Sequence, residues 1–432
     1  MVYVILFVVL LVIGIPIGMV LSYIGLLPGL FASNPAIAPV SILRTMVNGV
    51  DSFPILAVPM FILSGNIMAR GKISEKLFNF FSYFIGDRTA GLPIATVVTC
   101  LFYGAISGSG PATTAAVGAM TIPILVQLGY DKVFATALVA VAGGLGVIIP
   151  PSIPFIFYGQ ASGASVGYLF IAGILPGLLI GGCLMLYSYY YCSKQGEDKE
   201  KIKAHTQKIR SQGFLKLLWS SFGALLSPVI ILGCIYGGIT SPTEAAVVSV
   251  YYSIILSVFV YRTIGWKDVK DIFIETVGTY STILFIISAA IGFGKVITVF
   301  QVPVLVENFI KSAVSNKIAF LLLINVILLF VGMIMDTTPA ILILAPILLK
   351  AAAVFNINPI HFGVIMVVNL AIGFVTPPLG VNLFVASSIS GERIEDIVKQ
   401  AIPLIGAFIV ALLFITFVPA ISLSLLPAGV AN

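Results

Sequence analysis

The sequence predicts an all-α polytopic membrane protein with two inverted repeats, each containing a re-entrant hairpin and a broken helix. Three observations predict this fold class. First, 59% of the 432 residues are hydrophobic and only 9% are charged, whereas soluble domains carry about 25% charged residues. Second, two apolar segments long enough to cross a bilayer each contain a cluster of glycine and proline. Third, a constant offset relates the two halves of the chain.

The two broken segments are GGLGVIIPPSIP at 143–154 and GFVTPPLG at 373–380. Proline lacks the amide donor and clashes with the preceding turn, so a continuous helix does not tolerate such clusters. In lipid every backbone polar group needs a partner, and a broken span must therefore be buried in protein or line a wet cavity. Paired breaks in two halves of a chain are typical of the binding site of a transporter.

The first half of the chain is predicted to contain four crossings and one hairpin. The N-terminal apolar stretch has no basic n-region and no small-residue cleavage site, which predicts a retained span rather than a cleaved signal peptide. The hairpin's first apolar arm has about 15 residues, fewer than the roughly 20 needed to cross, and SGSGP forms its tip. The predicted elements are a span at 2–27, a span at 53–68, an amphipathic piece at 76–87, a hairpin at 89–130, a broken helix at 132–163 and a span at 167–191.

A basic loop at 193–213 and a connecting span at 214–240 join the first repeat, residues 1–192, to the second, residues 241–432. Ser241, Pro242 and Glu244 have the spacing of a capping box with proline at the first helical position, so a span begins there. The elements then follow in the same order as before. They are a span at 272–293, an amphipathic piece at 303–310, a hairpin at 318–352, a broken helix at 361–388 and a span at 402–426.

An internal repeat relates the two halves at an offset of 227 residues. The offset carries the glycines and prolines of the first break onto those of the second. The matching pairs are Gly65 and Gly292, Gly146 and Gly373, Pro150 and Pro377, Pro151 and Pro378, Phe157 and Phe384, and Pro176 and Pro403. Each repeat has an even number of crossings and one extra span separates them, so the second repeat is predicted to be inverted.

The distribution of basic residues predicts the orientation. With the N-terminus in the cytoplasm, all but five of the 22 Lys and Arg residues lie on the cytoplasmic side, and seven of them lie at 193–216. The five exceptions are Arg44, Lys295, Lys311, Lys317 and Lys350. The positive-inside rule therefore places the N-terminus in the cytoplasm and the C-terminus in the periplasm. The net charge of +6 comes without any nucleic-acid motif, and we predict no nucleic-acid partner.

Each hairpin tip ends one helix and starts the next. Pro111 and Pro339 begin the second arms, whose free amides and positive dipole ends suit a carboxylate. Carbonyls of the breaks, with hydroxyls of the tips and breaks, suit a hard cation such as Na⁺. The hydroxyls concerned are those of Ser107, Ser109, Ser152, Thr337 and Thr376. The alternative is that serine and glycine only allow close helix packing.

The motifs of the whole chain together resemble one family. GAISGSGPATTAAVGAMTIPIL, GGLGVIIPPS, SPTEAAV, MDTTPAILILAPIL and GFVTPPLGVNLFV are similar to motifs of the large membrane subunit of TRAP (tripartite ATP-independent periplasmic) transporters. The resemblance implies an elevator-type Na⁺-coupled importer with scaffold and transport domains in the bacterial inner membrane. It also implies a small four-helix membrane subunit, a periplasmic substrate-binding protein, and a carboxylate-bearing substrate such as a sialic acid or a C4-dicarboxylate.

The resemblance also implies site residues. One Na⁺ site is expected from Ser107, Ser109, Gly146 and Pro151, and a symmetric one from Asp336, Thr337, Gly373 and Thr376. The substrate is expected to contact Ser109, Ser152, Asp336, Thr338 and Asn382.

Several single residues have local alternatives. Glu244 and Asp336 are candidates for coupling carboxylates, but helix capping explains each of them as well. Asn369 and Asn382 flank the second break and either reach substrate or bridge helices. Lys295 and Lys350 are predicted to extend to the membrane interface. His205, His361 and the four cysteines have no spacing typical of a metal site.

Three other classes of protein compete with this prediction. The sequence has no HExxH motif, no pair of intramembrane aspartates and no phosphate-binding loop, so we predict no enzyme activity. A channel needs no pair of oppositely oriented hairpins. A symporter or proton-coupled antiporter that works without a binding protein remains the third alternative.

Overall fold

The computed structural model describes residues 6–7, 9–11, 13–31, 34–314 and 316–431. Within these ranges the chain forms helices and no strand, and eight helices are long and apolar enough to cross a membrane. The predicted all-helical polytopic class is thereby confirmed. The eight are Phe53–Arg70, Val166–Gln195, Phe214–Tyr236, Pro242–Val260, Trp266–Val299, Lys317–Ile334, Thr337–Val354 and Ile394–Phe417.

The N-terminal span differs from its prediction. Residues 2–5, 8 and 12 of the predicted span at 2–27 lie outside the described residues. In the described part, Gly14 has a φ of +88° and Pro16 follows, so the helix restarts at Ile17–Phe31. A helix that the sequence did not predict, Pro39–Val50, follows, and both pack against Trp266–Val299.

The first half continues with a short 3₁₀ turn, Phe53–Leu56, and the helices Ala57–Arg70 and Ile73–Ile85. Helices Gly91–Ser107 and Gly110–Gln127 form what we call the first hairpin. Helices Lys132–Gly143 and Ile153–Ser162, joined by the 3₁₀ turn Gly144–Val147, form the first broken helix. Val166–Gln195 is the long helix after it.

The second half begins with Lys199–Arg210 and Phe214–Tyr236. Helices Lys317–Ile334 and Thr337–Val354 form the second hairpin, and helices Pro359–Gly373 and Val381–Ser390 form the second broken helix. The remaining elements are Pro242–Ile254 with the π turn Ile255–Val260, Trp266–Val299, Val302–Ala313, Ile394–Phe417, Ala420–Leu423 and Ala428–Ala431.

Two predicted segments differ from the structure in their helices. The basic loop at 193–213 contains the helix Lys199–Arg210, which Asp198 caps. Arg210 at the end of this helix binds Asp87, which follows the helix Ile73–Ile85, with N–O distances of 2.8 and 2.9 Å. The last span begins at Ile394 and ends at Phe417 rather than covering 402–426. Its charged first turn is stabilised by Arg393 bound to Asp396 at 2.8 Å, so the helix starts before the apolar segment.

The first break lies in the core of the molecule. Every residue from Phe134 to Gly159 is buried, as is every residue from Ile360 to Val375. This burial satisfies the requirement that interrupted backbone at membrane depth be enclosed by protein. At the second break Pro377, Pro378 and Leu379 are exposed on the chain, so the two breaks differ in their accessibility.

The arms of the second hairpin are among the eight helices long enough to cross a membrane. Helix length therefore does not establish that this hairpin is re-entrant. The re-entrant hairpins, the inversion of the repeats and their domain boundaries stay predictions.

Candidate functional site

The tip of the first hairpin is a compact cluster of oxygen atoms. Gly108 turns the chain with a φ of +62°, and Ser109 caps the second arm by accepting the Ala112 N–H at 3.4 Å. The Ser107 and Thr113 hydroxyl oxygens lie 2.9 Å apart. The Thr113 hydroxyl donates to the Ser109 carbonyl at 2.8 Å. Three hydroxyls and one carbonyl of the tip are thus held within one turn.

The first break packs directly against this tip. A Cβ atom at Gly146 would lie 2.3 Å from Thr113 Oγ1 and 2.6 Å from the Ser109 carbonyl oxygen, so only glycine fits. A Cβ atom at Gly108 would lie 2.9 Å from the Pro151 carbonyl oxygen, and the Ile153 N–H donates to the Gly108 carbonyl at 3.3 Å. The structure therefore brings together all four residues expected at the first Na⁺ site: Ser107, Ser109, Gly146 and Pro151.

The second tip has a different chemistry because it contains a carboxylate. Asp336 caps Thr337–Val354 by accepting the Thr337 N–H at 2.7 Å, and the Thr337 hydroxyl lies 3.4 Å from the same Oδ1. Capping therefore explains the position of Asp336 locally. Asp336 nevertheless lies exposed at the surface of this chain, whereas Thr337 is buried.

The second break meets the second hairpin just before the tip. A Cβ atom at Gly373 would lie 2.2 Å from the Gly332 carbonyl oxygen, and the Leu379 N–H donates to the Met333 carbonyl at 3.0 Å. The Thr376 hydroxyl donates to the Ile372 carbonyl of its own helix at 2.8 Å. The described contacts thus link Gly373 and Leu379 to the second hairpin through Gly332 and Met333, which precede Asp336. They do not bring the Thr376 hydroxyl to the tip.

The two broken helices contact each other near their breaks. The Asn382 side chain donates to the Ala140 carbonyl at 3.0 Å, and a Cβ atom at Gly144 would lie 3.5 Å from the Ala371 carbonyl oxygen. A Cβ atom at Gly110 would lie 3.0 Å from the Phe374 ring. The first tip is therefore adjacent to both breaks.

The residues expected to contact substrate fall into four places. Ser109 is half-buried at the first tip, Asp336 and the buried Thr338 belong to the second, and Asn382 is buried between the broken helices. Ser152 is buried, donates its hydroxyl to the Val147 carbonyl and accepts the Phe155 N–H at 3.4 Å. Its hydroxyl is thus engaged in capping the second part of the first broken helix.

Asn382 does more than bridge the two helices. Its Oδ1 is buried and lacks a hydrogen-bond partner among the described residues, as does the Thr114 hydroxyl of the first hairpin. A Cβ atom at Gly143 would lie 1.9 Å from that hydroxyl oxygen, which places Thr114 directly against the first broken helix. Both oxygens lie on elements that contact the first break.

Thr113 is the principal site residue that the sequence analysis missed. It lies four residues after Ser109, so on a helix beginning at the tip its hydroxyl reaches back to the Ser109 carbonyl. That spacing could have been noticed in SGSGPATT. Its contact with Gly146 joins residues 33 positions apart, and the sequence gives no sign of it.

The structure distinguishes among the local alternatives for the other polar residues. Glu244 forms the predicted capping box: its carboxylate accepts the Ser241 N–H at 2.7 Å, and its own N–H donates to Ser241 Oγ at 3.3 Å. Asn369 bridges helices by donating to Asn325 Oδ1 at 2.6 Å. Lys295 binds the hydroxyls of Ser41 and Thr45 at 2.7 and 2.9 Å, so it contacts a neighbouring helix.

The donor set of the first tip and break fits a hard monovalent cation. Its atoms are hydroxyl and carbonyl oxygens, the ligands that hard cations prefer. Across the described residues there is no group of three His, Cys, Asp or Glu side chains that could hold a metal ion. The chemistry available at the tips is therefore that of neutral oxygens, with Asp336 as the one carboxylate.

Comparison with protein-family models matches residues 4–421 to the DctM component of the tripartite ATP-independent periplasmic transporters. The isethionate TRAP transporter permease protein DctMQ of Oleidesulfovibrio alaskensis is 44% identical over 411 residues, which are 95% of this chain and 64% of that protein. The C4-dicarboxylate TRAP transporter large permease protein DctM of Pseudomonas aeruginosa is 39% identical, with 87% of this chain and 86% of that protein covered. The 2,3-diketo-L-gulonate TRAP transporter large permease protein YiaN of Escherichia coli is 35% identical, with 87% of each chain covered.

Two solved structures share the fold at low sequence identity. The YdaH transporter of Alcanivorax borkumensis has a TM-score of 0.64 at 14% identity and covers 95% of this chain and 98% of its own. MtrF of Neisseria gonorrhoeae has a TM-score of 0.64 at 15% identity, with coverages of 92% and 93%. The first is named a transporter and the second is assigned to a class of antimetabolite efflux pumps, and this likeness is one of fold alone.

Proposed function

The chain belongs to the DctM component family of the tripartite ATP-independent periplasmic transporters, and from this premise we propose that it is the large membrane subunit of a Na⁺-coupled importer of a small organic acid. The chain is a multi-pass membrane protein whose curated relatives are permeases, not enzymes. The inner membrane, with the N-terminus in the cytoplasm and the C-terminus in the periplasm, is the proposed location.

Na⁺ coupling rests on one observation, the packing of the first break against the first tip. Thr113 Oγ1 and the Ser109 carbonyl oxygen crowd the place that a side chain at Gly146 would occupy. These oxygens and that of Pro151 form the proposed first Na⁺ site, and Asp336, Thr337, Gly373 and Thr376 contribute to the second. A bound Na⁺ supplies positive charge that balances the acid group of the substrate.

The substrate is proposed to enter on the side where the second break opens. Pro377, Pro378 and Leu379 are exposed there, as is Asp336 of the second tip, whereas the first break is enclosed. The positive dipole ends at the start of the second arms then face the acid group. Ser109, Thr338 and Asn382 are the proposed substrate contacts, and Ser152 acts by holding the first break in shape.

The substrate class is proposed to be a small organic acid. The three relatives described above are named for isethionate, a C4-dicarboxylate and 2,3-diketo-L-gulonate. The names cover a sulfonate, a dicarboxylate and a sugar acid, none of them a sialic acid, so they support a small organic acid and do not choose between a dicarboxylate and a sugar acid.

An elevator mechanism is proposed for translocation. The two broken helices are joined by a hydrogen bond from the Asn382 side chain to the Ala140 carbonyl and by an ion pair of 3.0 Å between Lys132 and Glu392. They therefore move as one body with the hairpins. This body packs against the remaining helices through large side chains, such as the stacked rings of Phe134 and Tyr191 at 3.9 Å, and through single hydrogen bonds. In one of these hydrogen bonds the Tyr103 hydroxyl donates to the Gly65 carbonyl at 3.1 Å, and in another the Ser52 hydroxyl donates to Gln160 Oε1 at 3.3 Å.

Two partners are proposed. The chain spans 64% of the DctMQ protein, and we propose that the first partner is a small membrane subunit that corresponds to the remainder of that protein. The second partner is a periplasmic substrate-binding protein.

Reconstitution tests the proposed function. The chain and its small subunit are placed in vesicles under an inward Na⁺ gradient, and uptake of labelled substrate is measured with and without the binding protein. We expect uptake only when the binding protein is present. Equal uptake without it would show a transporter that works without a binding protein.

A further inference from the structure

The two ends of the first hairpin are joined by one carboxylate. Glu197 lies just after the long helix Val166–Gln195, and its Oε1 accepts the Ala90 N–H at 2.9 Å and the Tyr130 hydroxyl at 2.7 Å. Ala90 directly precedes the first arm, and Tyr130 follows the end of the second arm by three residues. We call Ala90 and the segment 128–130 the feet of the hairpin.

One foot has a backbone that needs to be held in place. Ala90 has a φ of +58°, a left-handed conformation that is unfavourable for a non-glycine residue, whereas the φ of +92° at Gly129 is one that glycine adopts readily. Glu197 fixes the amide of Ala90 in this conformation. The next residue, Asp198, lies against Gly129, where a Cβ atom would be 3.3 Å from Asp198 Cβ.

Tyr130 is a reliable donor to Glu197. The side chain is buried, and burial together with the nearby Glu197 carboxylate raises the pKa of Tyr130 above its ordinary value. The hydroxyl therefore keeps its proton and donates at any physiological pH.

Glu197 is itself attached to a fixed element. Asp198 begins the helix Lys199–Arg210 and accepts the Lys201 N–H at 3.2 Å. At the other end Arg210 binds Asp87 through two hydrogen bonds and the Tyr83 carbonyl at 3.0 Å. Ile202, Thr206 and Ile209 are buried along the same helix. We call the two hydrogen bonds that Glu197 accepts from the feet the clamp. The helix that follows Glu197 is held at both of its ends, so the position of the clamp is held as well.

We propose that Glu197 is a positioning residue of the transport site: by joining the two feet, it keeps the tip of the first hairpin against the first break. This inference rests on the proposed function, which assigns Na⁺ to that tip. The arm of 17 residues is about 25 Å long at 1.5 Å per residue. A rotation of about 5° at the feet therefore moves the tip by about 2 Å, enough to separate Ser109 and Thr113 from Gly146.

Three variants test this role in the complete transporter. Glu197→Ala removes the acceptor from both feet, whereas Glu197→Gln keeps an oxygen that accepts both hydrogen bonds. Glu200→Ala is the matched control, because Glu200 is exposed in the first turn of the helix Lys199–Arg210. Two quantities are measured for each: hydrogen–deuterium exchange of the peptides covering 88–94 and 126–131, and the Na⁺ concentration that gives half-maximal uptake.

We expect Glu197→Ala to speed exchange at both feet and to raise the half-maximal Na⁺ concentration about 3- to 10-fold, with a smaller change in maximal uptake. Glu197→Gln and Glu200→Ala should resemble the unmodified chain in both measurements. Unchanged exchange at either foot in Glu197→Ala would overturn the proposal, as would an unchanged Na⁺ dependence in a transporter that uses Na⁺.

The exchange measurement separates this proposal from the proposed function. If uptake by the unmodified transporter does not depend on Na⁺, the Na⁺ coupling fails, and the clamp is then judged by exchange alone. If Glu197→Ala does not fold, Tyr130→Phe replaces it, since that change removes one of the two donors. It should speed exchange at 126–131 more than at 88–94, and equal or absent acceleration would overturn the clamp.

Discussion

At the scale of single residues, the first tip depends on the close packing of Gly146 against the Thr113 hydroxyl and the Ser109 carbonyl oxygen. Ser107 and Ser109 could be predicted because SGSGP is a turn with hydroxyls in an apolar segment. The spacing of Thr113 from Ser109 predicts only that its hydroxyl bonds to the backbone of its own helix, and it does not predict the contact with the first break. Only the folded chain shows that its hydroxyl also lies against Gly146. The role of Asp336 as a helix cap was an open alternative in the sequence, and the structure shows the cap.

Replacing Gly146 tests the close packing of break and tip. In Gly146→Ala the new Cβ would lie 2.3 Å from Thr113 Oγ1, so the tip or the break must shift. We expect uptake to fall at least about ten-fold, as overpacking in a close-packed core costs about 1–3 kcal/mol. Gly182→Ala is the control, because no atom lies within 4 Å of a Cβ there. Equal uptake by the two variants in vesicles would contradict the packing argument.

Removing single oxygens tests the two proposed cation sites. Ser109→Ala deletes a tip hydroxyl and Asp336→Ala deletes the exposed carboxylate of the second tip. Each should raise the Na⁺ concentration for half-maximal uptake about 3- to 10-fold, because one ligand or its support is lost. The titration is done on variants shown by size-exclusion chromatography to remain folded. Unchanged Na⁺ dependence in both would exclude these residues from the cation sites.

At the scale of elements, the sequence predicted helices wherever apolar length and glycine or proline punctuation were strong. Pairs of helices and interrupted helices lie where the hairpins and broken segments are predicted, and the re-entrant nature of the hairpins stays a prediction. Helices Pro39–Val50 and Lys199–Arg210 were missed for a physical reason. Each is too short or too polar to be identified by hydropathy, and each is held by tertiary contacts such as Lys295 to Ser41 and Arg210 to Asp87.

A cross-link between elements tests the proposed elevator movement. Ser52 lies at the start of a span outside the proposed moving body, and Gln160 lies in the first broken helix; their side chains are 3.3 Å apart. With the four native cysteines replaced, Ser52→Cys and Gln160→Cys joined by a short bifunctional thiol reagent with a reducible spacer should give a protein that no longer takes up substrate. Reduction should restore uptake, and the single variants should transport. Full uptake by the cross-linked protein would show that the two elements do not separate.

At the scale of the whole molecule, composition alone established a polytopic helical protein, because so few charged residues cannot cover a soluble surface. Burial of the broken helices followed from the requirement that backbone groups be satisfied in lipid. The difference between the enclosed first break and the exposed second break could not be predicted. The repeat makes the two look equivalent, and only the packing of the remaining helices distinguishes them.

The central claim is that Na⁺ drives uptake through the oxygens of the tips and breaks. The most direct test measures uptake of a labelled C4-dicarboxylate or isethionate by vesicles containing this chain, its small subunit and its binding protein. One set of vesicles receives an inward Na⁺ gradient and the other only an inward proton gradient. We predict accumulation with the Na⁺ gradient and none above background with protons alone. Full accumulation with the proton gradient and no Na⁺ would contradict the account.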